Sequence, residues 1–312
     1  MNIVVCVKQV PDTHEVKIDP KTGTLIREGV PSIMNPDDKN ALEEALRLKD
    51  ATTGTAASAS GGATGGAGAP GGPVSVTVVS MGPPQAEAVL REALCMGADR
   101  AILVGDRAFA GADTLATSKT LAAVMRKLDY DLIFAGRQAI DGDTAQVGPE
   151  MAEHLGIPQV TYVEKVQAEG PNGGIAGHPA GGAKAGAGKA GDAADIASSK
   201  AAGARLRVTR ATEEGHEEVL VGTPVLLTAI KELNQPRYMN IARIFASAST
   251  SVETWSAANL DVDKAEVGLT GSPTRVRKSQ AKDAKREGVT MKEAPRESAE
   301  RVAYMLREKR FI

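Results

Sequence analysis

A chain of 312 residues, 42% of them hydrophobic, can fill one large core or two ordinary ones and needs no staples. A formal charge of -2 and a pI near 6.2 argue against a protein whose main business is coating nucleic acid. Two distant cysteines, Cys6 and Cys95, lack CxxC spacing and the count of a disulfide framework, so a cytosolic, reducing compartment is expected.

The opening MNIVVCVKQVPD carries Lys8 where a secretory leader would still be apolar, and no stretch approaches the ~18 apolar residues of a membrane span, so a soluble protein is expected. NIVVCVKQV (2–10) reads as a buried strand, and DDKNALEEALRLK (37–49) as a helix with Ala41, Leu42, Ala45 and Leu46 on one face. Of the 33 glycines, eight fall in residues 51–73 and ten in 170–203. These Ala/Gly/Ser tracts, about 51–73 and 168–205, have too little apolar side chain to offset their ordering entropy and read as flexible insertions. VSVTVVS (74–80) is the next strand. PQAEAVLREALCMG (84–97) follows as a helix, with Pro84 in its first turn, Val89, Leu90, Ala93 and Leu94 facing inward, and Gly97 as its stop. RAILV (100–104), DTLATSKTLAAVMRKL (113–128) and DLIFAG (131–136) continue the alternation.

Continuous apolar strands alternating with amphipathic helices predict a parallel sheet covered on both faces, a doubly wound, Rossmann-like α/β layer sandwich. After about residue 158, QVTYVEKVQAE and ARLRVTRATEEGHEEVLVGTPVLLTAI read as an antiparallel addition, with the second tract as an enlarged hairpin loop. LNQPRYMNIARIFASA (233–248) is a Pro-punctuated segment without clean periodicity, and ESAERVAYMLREKR (297–310) a terminal helix. The expected division is an α/β domain over 1–232 and a loop plus extended C-terminal arm over 233–312.

In such sheets the ligand crevice lies at the strand carboxyl ends. "KQVPDT" (8–13), "MNPDD" (34–38), "SMGPPQ" (80–85) and "GRQAIDGDTAQVGPE" (136–150) all fall there. In the last, Gly136 permits close backbone approach, Gly142 a tight turn, and Thr144 is placed to cap a helix running through Met151 and Leu155, whose N–H groups form an anion site. Asp141 and Asp143 would cap amides or accept from ribose hydroxyls, while Arg137, Gln138 and Gln146 face phosphates. The residues alone leave open a nucleotide site or an ordinary Asp-Gly turn before a capped helix.

Two GxGxxG matches, GAGAPG (66–71) and GAGKAG (186–191), and the phosphate-loop-like SGGATGG (60–66) lie in low-complexity sequence and read as chance. The four histidines lack metal-ligand spacing, and Cys6 reads as a small buried hydrophobe. No nucleophile–base pair stands out, so no catalytic residue is assigned. The basic run RVRKSQAKDAKREG (275–288) has no aromatic stacking partners and reads as a solvated arm.

Taken in order, "VVCVKQVPDT", "SIMNPDDKNALEEALRLK", "SMGPPQAEAVLREALCMGADRAILV", "GRQAIDGDTAQVGPEMAEHLGIPQVTYV", "LNQPRYMNIARIF" and "GSPTRVRK" resemble the electron transfer flavoprotein β subunit over almost the whole chain outside the two tracts. The resemblance implies a heterodimer with an α subunit that holds an FAD, and a second nucleotide in this subunit. In simple carriers that nucleotide is AMP. In electron-bifurcating members it is a second FAD, which takes hydride from NADH and sends one electron toward ferredoxin or flavodoxin and the other to the α-side flavin. Carried over by position, the cofactor contacts are Cys6, Lys8, Asn35, Pro36, Asp37, Asp38 and Met81, with the loop Gly136, Arg137, Gln138, Ala139, Ile140, Asp141, Gly142, Asp143, Thr144, Ala145, Gln146 and Val147. The family's recognition loop for an acyl-CoA dehydrogenase matches Asn234, Gln235, Pro236, Arg237 and Tyr238, with Ile241 as its apolar anchor. Arg137 and Gly142 make the central loop resemble the bifurcating members; the alternatives are an AMP-holding carrier and a nucleotide-binding regulatory module.

Overall fold

The computed structural model describes residues 1–12, 31–53, 74–168, 204–275, 288 and 290–312. Residues 54–73 and 169–203, with both GxGxxG matches and SGGATGG, and 276–287 of the basic run lie outside the described residues. The chain forms two compact units, one of Met1–His14 with Arg27–Val276 and one of Glu15–Ile26 with Arg277–Ile312.

The first unit is built on a nine-stranded sheet. Strand β1 (Asn2–Cys6) lies near its centre, followed by a short antiparallel pair of β2 (Gln9–Pro11) and β3 (Ser32–Met34), then helix α1 (Pro36–Thr53). Next come β4 (Ser75–Met81), a 3₁₀ turn at Pro84–Ala86, α2 (Glu87–Met96), β5 (Arg100–Val104), α3 (Thr114–Met125), β6 (Leu132–Gly136) and α4 (Val147–Leu155). The chain continues through β7 (Gln159–Ala168), β8 (Arg205–Thr212), β9 (Gly215–Gly222), β10 (Val225–Ala229), α5 (Ile241–Ser247) and β11 (Glu253–Trp255).

The spatial order is β11-β5-β4-β1-β6-β10-β7-β8-β9. The strands from β11 through β7 pair parallel, and β8 and β9 add antiparallel to the β7 edge. Side-chain alternation divides the strands between two cores. Ile3, Val5, Leu132 and Phe134 face the side packed with Leu42 and Leu46 of α1 and Leu90 of α2, whereas Val4 and Ile133 face Val124 and Met125 of α3 and Met151 of α4. Both faces are therefore dry, which is why these strands read as unbroken apolar runs.

One strand departs from the expected pairing. VLLTA, read as part of the antiparallel addition, inserts as parallel strand β10 between β6 and β7, and all five of its residues are buried. A strand covered on both faces needs apolar residues at every position, and Val225 through Ala229 meet that requirement where the exposed β9 does not. The sheet also gains β11 at the β5 edge, from sequence beyond residue 232.

The second unit contains α6 (Pro295–Glu308), with Pro295 in its first turn and Glu297 suited to the positive end of the helix dipole. Its exposed ion pairs are Arg301 with Glu293 at 2.7 Å and Arg296 with Glu300 at 3.3 Å.

Candidate functional site

Strand order reverses about β1, with β4 on one side and β6 on the other. The loops leaving β1 and β6 part toward opposite faces and open a cleft between the two strand ends. The cleft measures about 1580 Å³.

Its floor is tied by the first turn of α1. The fully buried Asn35 donates from Nδ2 to the Gln138 carbonyl at 2.9 Å and accepts at Oδ1 from the Ile140 N–H at 3.1 Å. Asp38 accepts from the Lys8 N–H at 2.8 Å through one oxygen and from the Gly136 N–H at 2.9 Å through the other. One carboxylate thus bridges the ends of β1 and β6. Burial pushes the Asp38 carboxyl up to about 7, against the downward pull of its hydrogen bonds from Asn35, Lys8 and Gly136. Gly136 is required here: a Cβ would come within 2.7 Å of Asp38 N and 2.9 Å of Asp37 C. Cys6 lines the cleft as a thiol, pushed up to about 12 by burial and by the Asp38 charge, which suits a small apolar wall and not a nucleophile.

The 136–146 loop folds over this floor. Arg137 continues the sheet by donating its N–H to the Ala229 carbonyl at 2.8 Å, and its guanidinium lies 5.6 Å from the Tyr162 ring centroid and 3.6 Å from Asp37. Burial raises the Asp37 carboxyl while the Arg137 charge opposes that rise. The buried Arg137 Nε has no hydrogen-bond partner. Lys8 Nζ reaches across the site to Asp141 at 2.7 Å. Gln138 Nε2 donates to Asp143 at 2.7 Å, and the N–H groups of Gly142 and Asp143 both turn back onto the Ala139 carbonyl.

Two local expectations are corrected. The left-handed residues of the loop are Asp143 (φ 50°) and Ala145 (φ 53°), so Gly142 is not what makes the turn possible. A Cβ at Gly142 would meet nothing within 4 Å; the glycine lines open cleft space. Nor does Thr144 cap α4. The residue at the cap is Gln146, with no side-chain capping bond, and its carboxamide Oε1 takes the Thr114 hydroxyl at 3.3 Å instead. The first N–H groups of α4 therefore have no side-chain cap, the arrangement in which a helix start receives an anion.

Of the residues singled out in the sequence, Cys6, Lys8, Asp38, Met81, Gly136, Arg137, Gln138, Ala139, Gly142, Thr144, Ala145, Gln146 and Val147 line the cleft. Asn35, Pro36, Asp37, Ile140, Asp141 and Asp143 lie outside the lining, and Asn35, Asp141 and Asp143 brace it through hydrogen bonds to Gln138, Lys8 and Gln138 respectively. The opposite wall joins Gly82 to Pro84, from the strand-end turn expected at the crevice, to two pieces absent from the sequence-based expectation, the turn from Gly105 to Thr114 and Pro273 with Thr274. Asp113 organises it by capping α3 through the Ala116 N–H at 3.0 Å and accepting from Thr274 N and Oγ1 at 3.0 and 2.7 Å. Burial works against the Asp113 charge, but these bonds hold its carboxyl below the usual range. The signal is available in the sequence: "GDRAFAGAD" follows the apolar RAILV as "GRQAIDGD" follows the apolar LIFA.

Away from the cleft, the 233–248 segment closes onto α1 and α2. Asn240 caps α5 by accepting from Ala242 N at 2.9 Å and Arg243 N at 3.3 Å, and Ser247 Oγ lies 3.1 Å from Cys95 Sγ. Tyr238 (92% exposed), Ile241 (73%) and Phe245 (77%) project into solvent as an apolar group, whereas Pro236 is half-buried and Arg237 is held inward. Among the described residues no His/Cys/Asp/Glu group forms a metal centre, and no helix is long and apolar enough to cross a membrane.

A doubly wound sheet with an open cleft at its strand carboxyl ends defines a class of ligand-binding α/β proteins. Comparison with known proteins narrows the class. The family described as Electron transfer flavoprotein domain matches residues 61–188. The chain is 54% identical, over 312 residues and the whole of both proteins, to the electron transfer flavoprotein subunit beta of Clostridium acetobutylicum. It is 46% identical over 286 residues to the caffeyl-CoA reductase-Etf complex subunit CarD of Acetobacterium woodii, covering 91% of this chain and 89% of that one. To protein FixA of Azotobacter vinelandii it is 40% identical over 283 residues, covering 89% and 83%. The chain belongs to the electron transfer flavoprotein β-subunit family. It accordingly serves electron transfer, is partnered by an α subunit, and comes from a family that binds flavin or AMP.

Proposed function

We propose that the cleft takes a second FAD and that the chain is the β subunit of an electron-bifurcating electron transfer flavoprotein, oxidising NADH and delivering electrons to ferredoxin or flavodoxin and to the α-side flavin. The observation that carries this reading is the open space at Gly142, within a cleft whose volume of about 1580 Å³ exceeds the roughly 300–1,000 Å³ of an ordinary small-ligand site. An AMP would leave much of it empty. A dinucleotide's diphosphate has room to run past Gly142 toward the uncapped start of α4.

The fit is chemical as well as steric. Arg137, Lys8 and the first N–H groups of α4 favour phosphate oxygens, and the apolar wall of Val79, Met81, Leu103 and Val104 suits a flat ring system. A flavin bound there supplies hydride acceptance and one-electron transfer. The chain's residues bind and orient it: Asn35 and Asp38 fix the floor, and Asp143 and Gln138 fix the loop. Residues 1–232, joined by β11 and by Pro273 and Thr274 of the cleft wall, act as the nucleotide domain, while the stretch from 233 also supplies a docking loop for an acyl-CoA dehydrogenase-type flavoenzyme and an arm that grips the α subunit. The exposed Tyr238, Ile241 and Phe245 support the docking role. The reading places the complex in the cytoplasm.

The test is a nucleotide count on the co-purified αβ complex, denatured and separated by chromatography. Two FAD and no AMP per heterodimer is the expected result; one of each makes the chain a simple carrier. Gly142→Asp fills the open space with a carboxylate and is expected to lower β-site FAD to a minor fraction. Undiminished flavin in that variant removes the Gly142 argument.

A further inference from the structure

Arg237 sits between Pro236 and Tyr238 in the segment proposed to dock a partner, but its side chain faces the protein. The buried Glu43 of α1 accepts from Arg237 Nε at 2.8 Å, Nη2 at 3.0 Å and the backbone N–H at 3.0 Å. Asp50, two turns further along α1, accepts from Nη1 at 2.8 Å. Each guanidinium nitrogen is thus engaged by α1. Neighbouring Asn234 completes the seam, donating to the Asn40 carbonyl and to Glu44 Oε2, both at 3.0 Å, and accepting at its own carbonyl from Asn40 Nδ2 at 2.7 Å.

We infer that Arg237 is a positioning residue for the docking segment and does not contact the partner: the Arg237–Glu43–Asp50 clamp fixes the chain so that Tyr238, Ile241 and Phe245 are presented ready-made. The physical reason is entropic. An apolar group on a loosely held loop must be ordered on binding, whereas one anchored by a two-pronged fork to a rigid helix is already in place. Lysine, a single point charge, cannot engage Glu43 and Asp50 together in that geometry. The clamp itself stands on contacts within this chain, and only its consequence for docking rests on the reading above.

The experiment uses the full αβ complex carrying Arg237→Lys, Glu43→Gln or Tyr238→Ala. Two quantities are read: backbone hydrogen exchange over 234–247, and the KM and kcat for electron transfer from a purified acyl-CoA dehydrogenase with its acyl-CoA. Arg237→Lys and Glu43→Gln are expected to speed exchange across 234–247 and to raise KM about tenfold, the order set by losing a charge-assisted hydrogen bond, with kcat unchanged. Tyr238→Ala raises KM and leaves exchange as in the parent. A raised KM with unaltered exchange in Arg237→Lys means direct contact and overturns the inference, as does unaltered exchange with unaltered KM. Faster exchange in Arg237→Lys, with KM unmoved there and in Tyr238→Ala, upholds the clamp and sinks the docking reading. Should either clamp variant fail to assemble, Asp50→Asn, which removes only the outer prong, is read by the same criteria.

Discussion

Replacing Gly136 by alanine adds a single methyl group at the tightest point of the cleft. That methyl would lie 2.7 Å from Asp38 N and 2.9 Å from Asp37 C, with the Asp38 carboxylate nearer still. These neighbours are the first turn of α1, held to the end of β1 by the Asp38 bond to Lys8 N at 2.8 Å and by the Asn35 N–H bond to the Lys8 carbonyl at 2.9 Å. A flexible side chain would swing aside; this backbone cannot. The end of β6 must move away, and the Gly136 N–H bond to Asp38, 2.9 Å long, goes with it. Overpacking of this kind costs about 1–3 kcal/mol and loss of a hydrogen bond to a buried carboxylate about 1.5–3 kcal/mol, so the sum is about 2.5–6 kcal/mol.

For a domain of this size such a loss lowers the melting temperature by roughly 5–24 °C. Thermal unfolding of the αβ complex need not be two-state, so the comparison is made within one series against Gly142→Ala, whose added methyl meets nothing within 4 Å. That control is expected to stay within about 0.5 kcal/mol of the parent. Gly136→Ala should also lose bound nucleotide, because the displaced strand end carries the cleft-lining Arg137 and Gln138 with it. Melting of the two variants within about 2 °C of each other would refute the close-approach argument, that margin being what roughly 1 kcal/mol produces.

Two further outcomes are expected of the cleft floor. Asp38 has a native pKa of about 7 against an ordinary 3.8, so the folded chain binds a proton that the unfolded chain has released. Its stabilising contribution is therefore fully present below 3.8 and is lost as pH rises through about 7. Asp38→Asn should flatten that decline between about pH 4 and 7 by a few kcal/mol at most, because each tenfold difference in proton affinity between the folded and unfolded chain is worth about 1.4 kcal/mol. Parallel melting-versus-pH curves for parent and variant would contradict it. Asn35→Ala leaves the Gln138 carbonyl and the Ile140 N–H without their buried partner, a loss of about 2 kcal/mol. Hydrogen exchange at Ile140 should accelerate, and unchanged protection there would mean that Asn35 does not hold the loop.

What could be read from the sequence was set by how local each signal is. The buried strands and the faces of α1 and α2 follow from periodicity within a dozen residues, and the cleft's position follows from topology once the sheet is known to be parallel. The placement of β10 escapes such a reading although its signal is present: five buried residues in a row demand cover on both faces, and only its adjacency in sequence to β8 and β9 makes it look like a third antiparallel strand. The wall around Asp113 escapes for a different reason, since Thr274 joins it from 161 residues away.

The same distance separates lining from brace. Asn35 and Arg137 stand in equally polar, strand-end sequence, yet Asn35 is wholly buried because its partners at Gln138 and Ile140 lie 103 and 105 residues further on. Arg237 is the extreme case. Flanked by proline and tyrosine it reads as a surface contact, but Glu43 and Asp50, 194 and 187 residues upstream, turn it inward. A charged residue's role depends on whether a complementary charge has been folded beneath it, and no window around Arg237 contains that charge. Helix α1 therefore serves two surfaces at once, with Asn35 and Asp38 under the cleft and Glu43 and Asp50 under the 233–248 segment.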